Sequence, residues 1–167
     1  MNKYHKHIKN LCRRHSITLI TGKAYHSYIN AKRLLFEQVI GNDAIPHPFF
    51  STVHGRLVAA PIINNKITYF CALHEIGHII RKQSPKEYNR VMSAFNLGKV
   101  TKYVIGDEYK ASSIAIKLNQ YATTAYFRQL ASLNQLAYIA KYESDWKTKL
   151  KPPSLFHYLS FSKNKST

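Results

Sequence analysis

The run His74-Glu75-Ile76-Gly77-His78 joins residue types and a spacing that can hold a metal and move a proton. On an α-helix, residues four apart share one face, so the two imidazoles can bind one ion. Glu75 follows His74 by about 100° of helical turn, which puts its carboxylate beside such an ion. Zinc held this way lowers the pKa of a bound water to about 7, and Glu75 is placed to take the proton and pass it to a leaving amine. Tyr69, Phe70, Leu73, Ile76 and Ile80 surround the motif with apolar surface, so its helix belongs to the core. Two imidazoles and a carboxylate buried there without a ligand would be costly; the competing reading is a hydrogen-bonded core His pair. Gly77 costs a helix about 1 kcal/mol relative to Ala, which is reasonable if another backbone must pass close to the site.

A zinc site needs a third protein ligand, and the chain has few acids to choose from. The next histidine, His157, lies beyond Pro152-Pro153. Downstream carboxylates are Glu87, Asp107, Glu108, Glu143 and Asp145. Glu87 follows Pro85 too closely for the chain to turn back, and Glu143 and Asp145 sit among lysines in a pattern typical of a solvated helix face. Asp107-Glu108 opens an expected helix after Gly106, with Ala111, Ala115 and Leu118 making a small apolar face. Glu108 is therefore the preferred ligand, with Asp107 read as the helix N-cap and as the main competitor.

The elements that must position these residues follow from periodicity and breakers. Residues 3–15 read as a helix, 17–21 as a short strand stopped by Gly22, and 25–40 as a helix ended by Gly41-Asn42-Asp43. Residues 43–54, with Pro46 and Pro48, read as an irregular loop. The stretch 56–63 reads as extended, and Pro61 argues for an edge strand, which could pair with substrate backbone. Asn64-Asn65 marks a turn before the motif helix over 68–82, which Ser84-Pro85 stops. Helices are expected over 86–96, closed by Gly98, over 107–120, and through 121–150. The class is α+β, mostly helical: one domain over 1–150 with a small sheet beside the motif helix, and a polar tail over 151–167.

Twenty-five Lys and Arg against 8 Asp and Glu give a formal net charge of +17. Such a field favours polyanions, nucleic acid first, although the same composition can serve solubility alone. Three stretches, Lys3–Arg14, Arg81–Arg90 and Lys99–Lys110, interleave cations with Tyr and His in a way that suits phosphate contact and base stacking. Cys12 and Cys71 form no disulfide framework and read as buried small hydrophobes. With no signal-peptide core and no span of membrane length, the chain is expected in the cytoplasm, or in that of the host cell for a phage or mobile-element protein.

The paired motifs resemble the ImmA/IrrE family of zinc metallopeptidases. There a His-Glu-x-x-His helix is followed by a helix bearing Glu-x-x-Ala-x-x-aromatic/aliphatic-Ala. Here these are Ala72-Leu73-His74-Glu75-Ile76-Gly77-His78 and Glu108-Tyr109-Lys110-Ala111-Ser112-Ser113-Ile114-Ala115. The upstream order of helix, strand and strand also matches, whereas residues 23–50 read as an insertion. The resemblance implies a zincin-like fold, Zn²⁺ on His74, His78 and a gluzincin-type Glu108, and Glu75 as general base. It also implies a protein substrate of the DNA-binding repressor kind.

For the donor that stabilises a developing oxyanion, His54, Tyr103 and Tyr109 are candidates, with surface packing the ordinary role of each. His5 and His7 are expected in solvent. Two other readings stand beside the peptidase: zinc-dependent hydrolysis of another amide or ester, and a non-catalytic zinc-containing regulator that binds nucleic acid or a cellular protein through its basic surface. Structural zinc needs no general base, so Glu75 favours an enzyme.

Overall fold

A computed structural model describes residues 1–39, 48–81, 83–96 and 100–146. The element order is α1 (Lys3–Arg14), β1 (Thr18–Thr21), α2 (Gly22–Val39), β2 (Phe50–Thr52), β3 (Leu57–Ala60), α3 (Lys66–Ile80), α4 (Pro85–Asn96), α5 (Lys102–Leu118) and α6 (Thr124–Trp146). The class is α+β, mostly helical, in a single domain. The expected helix stop at Gly98 and the tail 151–167 lie outside the described residues.

The three strands run in the order β1-β3-β2. β3 pairs with β1 in parallel, Thr18 facing Leu57, and with β2 in antiparallel, Thr52 facing Leu57. A parallel pair needs a crossover, and α2 supplies it. β3 is thus the central strand, contrary to the edge position expected from Pro61. The proline lies one residue beyond the ladder, where its missing N–H costs nothing, and its carbonyl accepts from Gly22 N–H. Gly22, at φ +58, makes the sharp turn from β1 into α2. β1 and β2 are the edge strands, and β2 lies within the stretch read as an irregular loop. Three residues after two prolines carry too little periodicity to reveal it.

α1 is capped by Asn2, whose side chain accepts from His5 N–H and donates to the Ile63 carbonyl at 2.9 Å. Its end is a Schellman turn: Ser16, at φ 53, and Ile17 donate back to Arg13 and Cys12. The Arg56 guanidinium donates to the freed carbonyls of His15 and Ser16, fastening the β2–β3 turn to the helix end.

α3 runs through the middle of the molecule, packed by α1, α5, α6, β2 and β3. Asn65 and Thr68 form a capping box at its start. Tyr69, Phe70, Ala72, Leu73 and Ile76 are buried against Ile8, Leu11, Val58, Ile63, Ala115 and Phe127. A smaller core of Val91, Ala94, Val100 and Val104 joins α4 to α5, with Tyr138 of α6 against it. His7, expected in solvent, is buried. Its Nδ1 lies 2.5 Å from the Tyr69 hydroxyl, and its ring packs on Tyr69 and Tyr121. Cys12 is buried and Cys71 half-buried; both are free thiols.

α5 begins at Lys102, not near Asp107, and Thr101 is its N-cap, accepting from Val104 N–H. Gly106 is an interior residue, so it punctuates nothing. Asp107 therefore caps no helix: it sits beyond the first turn with its side chain turned inward.

Candidate metal centre and cleft

α3 and α5 cross at Gly77. A Cβ there would lie 2.5 Å from the Ala111 carbonyl oxygen, so only glycine allows this approach of the two backbones. That is the close passage anticipated for Gly77. It brings Glu108, one turn before Ala111, over the face of α3 that carries both histidines.

One ligand atom each from His74, His78 and Glu108 lies within 4.8 Å of the others. Nε2 of His74 is 2.9 Å from Glu108 Oε2 and 3.1 Å from Nε2 of His78. Nε2 of His78 is 3.5 Å from Glu108 Oε1. His74 and Glu108 are 7% and 3% exposed.

The outer nitrogens are also held. His74 Nδ1 is 3.1 Å from Ser112 Oγ, and His78 Nδ1 is 3.0 Å from Asp107 Oδ2. A carboxylate accepts, so the His78 proton belongs on Nδ1 and its Nε2 presents a lone pair to the other imidazole and to a carboxylate oxygen. At His78 Nε2 and Glu108 Oε1 two acceptors then face one another, which a cation between them relieves. The charges agree: Glu75, Asp107 and Glu108 contribute three negative groups to the cleft, against the guanidinium of Arg81. A divalent cation offsets the remaining two. The donor set therefore fits a divalent metal, with nitrogen and oxygen ligands of the kind zinc accepts.

Asp107 serves the site from behind. It pairs with Arg81 and accepts from Gln83 at 3.3 Å while orienting His78, and it is 5% exposed. Burial pulls the Arg81 pKa down, against the opposing pull of Glu108 and Glu87. Glu108 is oriented from α6, where Asn134 Nδ2 donates to its Oε2 at 3.2 Å, and Tyr138 lines the cleft close enough to feel its charge. Burial alone would raise the Glu108 pKa; the His74 hydrogen bond, the two imidazoles and Asn134 outweigh it and hold the group below the usual carboxylate range. Burial, then the Glu108 and Glu75 carboxylates, push Tyr138 well up, so its hydroxyl keeps its proton.

Glu75 lines the cleft that the two histidines and Glu108 also line, and Ser51 Oγ of β2 donates to its Oε2 at 2.7 Å. Both line a cleft of about 560 Å³ together with His74, His78 and Glu108. Phe49, Phe50, Phe70, Val91 and Met92 give the cleft apolar walls, and His54 lines it with its ring 4.3 Å from that of Tyr88. Cys71 opens onto the same cleft; burial first, then Glu75, raises its thiol to about 11, which leaves it protonated and inert.

Of the candidate oxyanion donors, only His54 lines the cleft. Tyr103 and Tyr109 are exposed, at 38% and 64%. Glu87 is remote from the cluster: it caps α4 through Ser84 and pairs with Lys110 at 3.1 Å, and these contacts lower its pKa to about 2. Ser51, Ser112, Asn134 and Tyr138 were not legible as site residues, because each joins the cleft through tertiary contact alone. A small or amide residue on an apolar helix face, as at Ser112 and Asn134, is the only sequence signal two of them carry. No family model, curated protein or solved structure matches this chain.

Proposed function

We propose that the chain is a zinc-dependent metallopeptidase of the kind its motifs resemble, cutting a peptide bond in an intracellular protein such as a DNA-bound regulator. The observation that carries this reading is the convergence of His74 Nε2, His78 Nε2 and the Glu108 carboxylate, with Glu75 in the same cleft. His74, His78 and Glu108 would hold the ion. When bound, zinc supplies Lewis-acid polarisation of a carbonyl and makes water acidic enough to ionise near pH 7.

The protein's own groups do the rest. Asp107 and Ser112 fix the imidazole rings, and Asn134 fixes Glu108. Glu75 accepts a proton on its carboxylate and returns it to the leaving nitrogen, while Ser51 keeps that carboxylate turned to the cleft. The apolar walls exclude water around the reacting bond, which strengthens every electrostatic contact inside. β2 is a sheet edge beside the cleft, so an extended substrate backbone would pair there, not along β3.

A zinc-containing regulator without catalysis is the competing reading. It leaves the position of Glu75 in the cleft, next to the ligand cluster, without purpose. The deciding experiment is metal analysis of untagged protein combined with a peptide-library digest, on wild type, Glu108→Ala and Glu75→Gln. The expected result is about one zinc per chain in wild type and Glu75→Gln, loss in Glu108→Ala, and cleavage by wild type alone. Unchanged zinc in Glu108→Ala moves the third ligand elsewhere. Full zinc with no difference in cleavage between wild type and Glu75→Gln supports the regulator.

A further inference from the structure

Part of the positive charge of this chain gathers where α4 meets the start of α5. Residues Tyr88, Val91 and Met92 of that helix line the cleft. Lys86, Asn89, Arg90 and Ser93, spaced as one helical stripe, line a second, open groove whose far wall is Thr101 and Tyr103 at the start of α5. Two of the three basic stretches in the sequence thus meet along one groove, whereas α1, which carries the third, packs on α3 and β1.

The groove is chemically uniform. Among the described residues no acidic side chain lines it. The nearby Glu87 is engaged by Lys110, and Lys86, Arg90 and Lys102 have no carboxylate partner among the described residues. The Arg90 guanidinium lies 4.7 Å from the centre of the Tyr103 ring and Lys102 Nζ lies 5.4 Å from it. The tyrosine thus gathers two cations around one ring. Elsewhere, three of the eight acids are drawn into the cleft, which leaves the outer surface more cationic than the net charge of +17 implies.

We propose that this α4–α5 groove binds the sugar-phosphate backbone of duplex DNA. Lys, Arg, Asn, Ser and Thr are the side chains that contact phosphate oxygens. Among the described residues the one aromatic ring lining the groove, Tyr103, already faces two cations, which suits a backbone better than unstacked bases. Because the groove and the cleft use adjoining faces of α4, DNA held in one lies beside whatever enters the other. The groove does not depend on a metal.

The test is fluorescence anisotropy of a labelled duplex with the full-length protein, with and without EDTA, over a range of salt. Compared with wild type are the set Lys86→Glu/Arg90→Glu/Lys102→Glu, its neutral counterpart Lys86→Gln/Arg90→Gln/Lys102→Gln, and a control set on α1, Lys6→Glu/Lys9→Glu/Arg13→Glu. The groove reversals should weaken binding at least about tenfold and flatten the slope of log K against log salt by roughly 2–3, near 0.9 for each phosphate that is no longer neutralised. The neutral set should move both quantities in the same direction, and it reads the groove if the reversed set misfolds. The α1 set should change affinity less than about threefold. Equal weakening in the groove and α1 sets would reduce the effect to a diffuse field and overturn the proposal. So would absence of duplex binding by wild type near 0.1 M salt, tighter binding of the single strand, or displacement by polyglutamate as effective as by unlabelled duplex.

Discussion

Asp107 shows how one buried side chain can serve chemistry and stability together. Its two oxygens divide the work: Oδ2 takes the His78 Nδ1 proton, and Oδ1 holds Arg81 and Gln83. Asp107→Asn should weaken zinc binding by about 10–100-fold, measured by chelator competition, because His78 loses its fixed tautomer. The same change strands a buried guanidinium, and urea unfolding should show a loss of about 3–5 kcal/mol. Glu75→Gln, which touches no metal ligand, should leave both quantities within experimental spread. Asn134→Leu should keep zinc stoichiometry but loosen Glu108, seen as faster zinc loss to a chelator.

At the scale of elements, the site depends on how closely α3 and α5 pack. Helix propensity alone predicts that Gly77→Ala stabilises the protein by about 1 kcal/mol. The crossing predicts the reverse, since the new methyl would meet the Ala111 carbonyl and must push α5 outward with Glu108 on it. Overpacking of this kind costs about 1–3 kcal/mol, and the displaced carboxylate should lower zinc affinity as well. Asn65→Ala separates the two effects: removing the α3 cap costs about 1 kcal/mol of stability, and zinc affinity should stay unchanged because the motif lies two turns further on. A stabilised Gly77→Ala protein with wild-type zinc affinity would contradict this geometry.

For the whole molecule, stability should follow pH through the buried pair His7–Tyr69. Burial, then Arg14, lowers the His7 pKa from 6.5, and burial chiefly raises Tyr69 to about 12. Below pH 6.5 the unfolded chain takes up a proton that folded His7 resists, so stability falls as the medium turns acid. Above pH 10 unfolded Tyr69 ionises before the folded residue does, and stability falls again. Urea midpoints should therefore be flat from pH 6.5 to about 9.0, where the thiols of Cys12 and Cys71, raised by burial, begin to ionise in the unfolded chain, and His7→Gln should remove the step below 6.5. On the proposed reading zinc would add a separate contribution, by mass action about 2.7 kcal/mol at a hundredfold excess over Kd, and EDTA should lower the melting temperature of wild type but not of Glu108→Ala. No helix among the described residues is long and apolar enough to cross a membrane.

Local pattern determined the helix that carries His74, Glu75 and His78, because a four-residue spacing and an apolar surround act within one element. It determined the need for a carboxylate partner too, since so few acids follow. What decided between Asp107 and Glu108 was the start of α5: a helix begun at Lys102 turns Glu108 to the ligand nitrogens and Asp107 to the back of His78. The cap expected at Asp107 rested on Gly106, a residue that helices tolerate when packing outweighs propensity. Likewise Pro61 bars a ladder position only where an N–H is needed, and the pairing of β3 stops before it, at Ala60 on the β1 side and Ala59 on the β2 side. Ser51, Asn134 and Tyr138 could come only from tertiary structure, because nothing local distinguishes a serine or tyrosine that meets a carboxylate from one that meets water. The basic groove divides the same way: composition set the charge, and the packing of α4 on α5 decided where it gathers.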